Sequence, residues 1–335
     1  MASWPSWRRS RRSADVTTRL EIERRPLGAS GVEAPRIMLG CGNFGGVGSA
    51  PAFFGRGQTE DEAFAIMDAA WELGITHFDT ADAYGGGRSE AAIGRWSSAR
   101  GVRPQITTKT YNPMDADEDS GLSAARIERQ LASSLERLGT DTVELYLAHE
   151  FDPETPLEET LGTFEELVAR GAIGAYGVSN FDARQLEQAA ERGTIACVQN
   201  SFSLLERGDE REVLPLCERR GVGYVAFGPL AGGWLTGKYR RGEPFPEGSR
   251  MTQRPEPYED FVEDDVFDAL EALERMAAAR GVSMAGLALA WLLAEPRLSA
   301  AVVGPARPEH LEPVREALAQ PLEASDRDEL SRLFG

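Results

Sequence analysis

The sequence predicts an α/β fold: a single (β/α)8 TIM barrel with an N-terminal β-hairpin and extra C-terminal helices. Three observations carry that prediction. From Arg36 onward, short apolar, β-prone runs alternate with longer amphipathic segments, the pattern of βα units around a parallel sheet. Eight such pairs can be counted, and no linker separates two hydrophobic cores. The 335 residues suffice for one barrel with additions.

Residues 1–19 cluster arginines with no apolar run behind them. They read as a disordered extension and not as a secretory signal, which leaves 20–335 as the barrel domain. The RPLGASG stretch within 20–32 reads as a hairpin ahead of the first barrel strand. Candidate strands follow at 36–40, 75–79, 104–109, 142–147, 172–178, 195–199, 222–227 and 299–303. Candidate helices lie at 59–74, 88–97, 122–138, 156–170, 182–192, 210–220, 283–294 and 308–319. Thr59 with Glu62, and Thr155 with Glu158 behind Pro156 at the first helical position, have the spacing of capping boxes. Residues 239–262, rich in Pro, Gly and charge, read as a long loop. An extra segment is expected near 264–280 and a terminal helix from about 325.

Composition narrows the function. The formal charge of −18 repels nucleic acid and anionic lipid, both of which need clustered cations. No apolar run approaches the ~18 residues of a membrane span. Three cysteines without C-x-x-C spacing argue against a disulfide framework or a zinc site and fit a reducing cytoplasm. The three histidines are too dispersed for a metal cluster.

Gly40, Gly42 and Gly45 in LGCGNFGG carry the G-x-G-x-x-G spacing of a dinucleotide-binding turn. That reading fails, because the next helix begins only near Thr59 and leaves no helix N-terminus inside the loop. What remains is a flexible first βα loop on the face where barrels build active sites.

On that face four functional groups fall on three successive strand ends. The second strand presents Asp79 in FDT at its tip, with Tyr84 following in the loop; the third presents Lys109 in QITTKT, and the fourth His149 in ELYLAHE. Lys109 is one of only two lysines, with Lys238, in a chain that otherwise uses arginine. An ammonium beside a phenol stabilises the phenolate and is expected to lower the Tyr84 pKa. Asp79 would keep Lys109 charged, and His149 would orient a carbonyl oxygen. The set suits protonation of an oxygen that is becoming an alkoxide.

FDTADAYG is similar to the FDTAxxYG signature of the aldo-keto reductase superfamily, and Lys109 and His149 follow at family-like positions. The resemblance runs from about Leu27 to Leu318. It implies a catalytic tetrad of Asp79, Tyr84, Lys109 and His149, and NADPH extended across the barrel mouth. It also implies a cofactor site whose residues enter in chain order. Gly42, Asn43 and Asp79 come first, then Ser179 and Asn180 of GVSN and Gln199 of VQNSF around the nicotinamide. Phe227 replaces the tyrosine usual for stacking on the nicotinamide. Gly228, Pro229, Leu230, Gly232 and Lys238 resemble the pyrophosphate loop, and Arg250 resembles an arginine reaching the adenosine half. GPARPEHLEPV departs from the family's C-terminal motif: Gly304 is kept, the arginine is shifted to Arg307, and His310 replaces a polar contact.

The resemblance therefore implies reversible reduction of an aldehyde or ketone, with NADP(H) preferred and NAD(H) as the second cofactor. Phe44, Phe54, Tyr111 and Trp234 are the candidate substrate-pocket aromatics. The expected partner is a small-molecule carbonyl or alcohol, with monomer and homo-oligomer both open. Two other readings stand beside this one: a cofactor-binding regulatory subunit like the potassium-channel β subunits, and a Schiff-base lyase using Lys109.

Overall fold

The computed structural model describes residues 19–116 and 119–335. The extension expected over 1–19 falls outside them except for Arg19, whose guanidinium lies over the Trp71 ring.

The strands are β1 (Arg24–Pro26), β2 (Glu33–Pro35), β3 (Ile37–Gly40), β4 (His77–Asp79), β5 (Gln105–Thr110), β6 (Val143–Ala148), β7 (Ile173–Ser179), β8 (Cys197–Ser201), β9 (Gly223–Phe227) and β10 (Leu298–Val303). β1 and β2 form an antiparallel hairpin, and β3 to β10 close into a parallel barrel in which β10 pairs with both β9 and β3. The helices between strands are α1 (Glu60–Leu73), α2 (Arg88–Arg100), α3 (Ala124–Leu138), α4 (Leu157–Ala169), α5 (Ala183–Ala190) and α6 (Val213–Arg220). Beyond β9 come α7 (Arg250–Gln253), α8 (Asp264–Arg280) and α9 (Met284–Leu293), and beyond β10 α10 (Glu312–Ala319) and α11 (Ala324–Leu333). No single helix among the described residues is long and apolar enough to cross a membrane.

Alternation along the strands sorts residues between two cores. Met38, Leu145, Leu147, Ala175, Cys197, Val225, Ala300 and Val302 form a lumen core, which Leu27 and Ala34 of the hairpin close from the N-terminal end. There the turn comes so near the barrel that a Cβ on Gly28 would sit 2.5 Å from the Gly221 carbonyl. The opposite face of each strand packs on the helices, as Phe78 and Tyr146 do. Continuing the inward set toward the C-terminal ends gives Asp79, Lys109, Ser179, Gln199 and Phe227. The fold thus collects candidate site residues in one ring.

Thr59 and Glu62 form the expected capping box. The box expected at Thr155 and Glu158 does not form. Thr155 supports the Asp152 carboxylate instead, Glu158 pairs with Arg192 at 2.7 Å, and Pro156 stands one position before the helix. A box that the sequence reading passed over caps α5 through Asp182 and Gln185. The expected loop over 239–262 holds α7 and a 3-10 segment, Glu256–Phe261, and the helix expected from 308 begins as a 3-10 turn, Pro308–Leu311. After Gly45 the chain bridges back, with Phe44 beside Gln58, and α1 starts at Glu60. This confirms that no helix opens within the glycine stretch.

Candidate active site

Lys109 is wholly buried, and its Nζ donates to Asp79 Oδ1 at 2.5 Å and to the Thr80 carbonyl at 2.8 Å. The other Asp79 oxygen accepts from Gln199 Nε2 at 2.7 Å. A buried cation needs this degree of satisfaction, because each unpaired charge in the interior costs several kcal/mol. Burial works against the ammonium, but Asp79 and Tyr84 outweigh it and hold the Lys109 pKa above its ordinary value. Lys109 is a fixed cation at neutral pH.

The Tyr84 ring lies 5.1 Å from Lys109 Nζ and 5.5 Å from the His149 ring, edge to face. A Cβ on Gly42 would touch the same ring at 3.5 Å, so the first loop covers it closely. Tyr84 faces the Lys109 ammonium and keeps partial exposure. The expectation of a lowered phenol pKa is corrected here. Burial raises it, Asp79 adds to the rise, and the nearby Lys109 ammonium only partly opposes them. Tyr84 is therefore a protonated donor at neutral pH.

His149 continues the inward parity of β6 and is tied to β5 by its N–H on the Thr110 carbonyl at 2.9 Å. Burial, with the Lys109 charge adding, pushes its imidazole down to about 3. Asn112 Nδ2 lies 3.3 Å from His149 Nδ1. The next residue, Glu150, is pushed up to about 7 by burial, opposed by a hydrogen bond from Asn180.

Around the rim, Ser179 and Gln199 are paired neighbours of β7 and β8 and both are buried. Asn180 sits at φ 59 and spends its amide N–H groups on the His149 carbonyl and Glu150 Oε1, each at 2.9 Å. From Gly228 to Gly237 the backbone turns repeatedly through positive φ, with Ala231 (46), Gly232 (61) and Gly233 (97) in succession. Pro229 and Leu230 lie in this loop. A Cβ on Gly233 would overlap the Lys238 ammonium, which also stands 5.0 Å over the Tyr239 ring. Arg250 Nη2 donates to Asn43 Oδ1 at 2.5 Å and links that side of the mouth to the first loop.

Past β10 and the exposed Gly304, Arg307 Nη2 lies 3.4 Å from His310 Nε2. Burial lowers the His310 pKa, and the charges of Arg307 and Lys238 lower it further. Lys238, Arg307 and His310 are therefore neighbours across two loops.

Two expected pocket aromatics are core residues. Phe44 is 1% exposed, folded beneath the first loop. Trp234 is wholly buried among Tyr239, Phe245, Phe261 and Phe267, with ring centroids 4.9 to 6.2 Å away. Both lie on loops in the sequence, but their loops fold back and bury them. Phe54 and Tyr111 keep partial exposure. Sequence reasoning missed Asn112, Thr80 and Glu150. Thr80 acts through its carbonyl, which residue type cannot reveal, whereas Asn112 three residues past Lys109 was visible.

The Aldo/keto reductase family model matches residues 36–333, and the chain belongs to that family. It is 37% identical over 303 residues to an oxidoreductase of Bacillus subtilis strain 168, YrpG, itself called uncharacterized, covering 85% of this chain and 87% of that one. It is 32% identical over 266 residues to the Schizosaccharomyces pombe aldo-keto reductase yakc [NADP(+)], covering 76% of this chain and 77% of that one. The solved structure of a glycerol dehydrogenase from Gluconobacter oxydans superposes with a TM-score of 0.79 at 27% identity, covering 92% of this chain and 94% of that one. The protein is an NAD(P)H-dependent oxidoreductase acting on small-molecule carbonyls.

Proposed function

We propose that the chain reversibly reduces an aldehyde or ketone with NADPH and that Tyr84 gives the proton. The observation that carries this reading is the enclosed Asp79–Lys109 pair held against the Tyr84 ring beside a neutral His149. The nicotinamide group, when bound, supplies hydride to the carbonyl carbon. His149 and Tyr84 hold the substrate oxygen between them. As the carbonyl π bond opens, the Tyr84 proton passes to that oxygen. The phenolate left behind faces the Lys109 ammonium until solvent returns the proton.

The residues present suit a dinucleotide. Gly228, Gly232 and Gly233 hold positive φ without a Cβ, which allows close backbone approach in this loop, and Lys238 adds charge beside it. Ser179, Asn180 and Gln199 surround the end where the tetrad lies, and Phe227 offers an aromatic face. Lys238 and Arg307, with the His310 imidazole beside them, form a basic corner whose two cations suit the 2'-phosphate of NADPH over the hydroxyl of NADH. The barrel domain is taken as 20–335, in the cytoplasm.

Titration with NADPH and NADH followed by fluorescence quenching, then a carbonyl panel read at the nicotinamide absorbance, tests the reading. Tight NADPH binding with turnover supports it. Tight binding without turnover on any carbonyl favours a regulatory subunit, and borohydride trapping of a substrate on Lys109 favours a lyase.

A further inference from the structure

We infer that Asn112, in the loop after β5, is a positioning residue that fixes the His149 tautomer, so that Nε2 carries the proton and offers it to the substrate oxygen. The inference rests on the proposed carbonyl reduction. Asn112 Nδ2 lies 3.3 Å from His149 Nδ1. With the amide turned so that its NH2 faces the ring, the NH2 donates, Nδ1 presents its lone pair, and the single proton of a neutral imidazole resides on Nε2. The opposite tautomer would turn a lone pair toward the carbonyl oxygen and repel it.

The imidazole is neutral because burial and the Lys109 charge oppose its protonation, so the choice of tautomer decides what the ring can do. The titratable groups around it are Tyr84, Lys109 and Glu150. Among the described residues none of them bonds Nδ1, and Asn112 is its partner.

Asn112 is itself held. The guanidinium of Arg126, 1% exposed, donates to the Asn112 carbonyl at 2.7 Å, to Thr110 Oγ1 at 2.9 Å and to the Gly121 carbonyl at 3.1 Å. It thereby pins both ends of the loop to β5. The His149 backbone is fixed on its other sides by Thr110 and Asn180. Ring and amide meet in one orientation set by three separate elements. A carboxylate at position 112 would instead accept from Nδ1–H and select the wrong tautomer.

The test is long-range 15N spectroscopy of the histidine rings in the full-length protein, with the His149 signal assigned by its loss in His149→Gln. Wild type should show Nε2–H and a bare Nδ1 from about pH 5 to pH 8, and Asn112→Asp should move the proton to Nδ1. Asn112→Leu, similar in volume but without a donor, should mix the tautomers and lower kcat/KM by about tenfold or more, leaving the NADPH Kd unchanged. A wild-type ring protonated at Nδ1 overturns the inference, as does Asn112→Leu with the wild-type tautomer and kcat/KM within about twofold. If either variant fails to fold, the wild-type spectrum still decides. Nε2–H in a protein that reduces no carbonyl would instead remove the functional reading and leave the tautomer assignment standing.

Discussion

Lys109 Nζ and Asp79 Oδ1 lie 2.5 Å apart inside the barrel, with the lysine wholly buried and the aspartate 4% exposed at its side chain. Neighbouring strands hold the pair, since β4 and β5 register Asp79 against Thr107, two residues before Lys109. Removing one partner strands the other charge. Asp79→Asn is expected to destabilise the fold by about 3–5 kcal/mol, measured by urea unfolding, and to lower kcat/KM by roughly 100-fold or more. Lys109→Met should lose activity as strongly, because the phenolate then has no counter-charge. A double variant, Asp79→Asn with Lys109→Met, should recover stability without recovering activity.

Trp234 separates packing from recognition. Trp234→Ala opens a cavity among four aromatic rings and should cost about 3–5 kcal/mol in chemical denaturation. The ranking of carbonyl substrates should stay unchanged in the protein that remains folded. Tyr111→Ala, at a partly exposed position near the mouth, should do the reverse.

The contrast shows what was legible in the sequence. Asp79, Lys109 and His149 were legible as a group because they fall at the ends of successive candidate strands, with Tyr84 in the loop after the first of them, whereas Ser179 and Gln199 were legible only through the motifs shared with the family. Burial of Phe44 and Trp234 was not, since loop tertiary folding leaves no periodic trace. The direction of the Tyr84 pKa was also hidden: Lys109 was visible, but the desolvation that outweighs it depends on the closed packing of Gly42 and the first loop.

Asp82 should leave a pH signature in stability. It is wholly buried, Ala83 N–H donates to its Oδ1 at 2.6 Å, and Oδ2 has no partner among the described residues. Burial and the neighbouring Glu90 push its pKa up to about 7. A folded-state value above the unfolded one means that stability is fully present below about pH 4 and is lost as pH rises through about 7. Asp82→Asn removes that loss. The variant's thermal midpoint should gain on wild type between about pH 5 and pH 8, by on the order of 1–3 kcal/mol in unfolding free energy. An advantage that shrinks with rising pH would contradict the assignment.

Arg307 should tell the two cofactors apart. Its guanidinium lies against the His310 ring and shares this corner with the Lys238 ammonium. Arg307→Ala is expected to raise the NADPH KM by about tenfold and leave the NADH KM within about twofold. Equal effects on both would remove the 2'-phosphate from this corner.

The proton donor is the centre of the account, and Tyr84→Phe isolates it, because the ring that packs under Gly42 is kept and only the hydroxyl is lost. The decisive measurement is single-turnover carbonyl reduction by purified Tyr84→Phe at saturating NADPH, alongside its NADPH Kd. The account predicts an unchanged Kd and a rate lowered by roughly 100-fold or more. A rate within about threefold of wild type, with cofactor bound equally well, would contradict it.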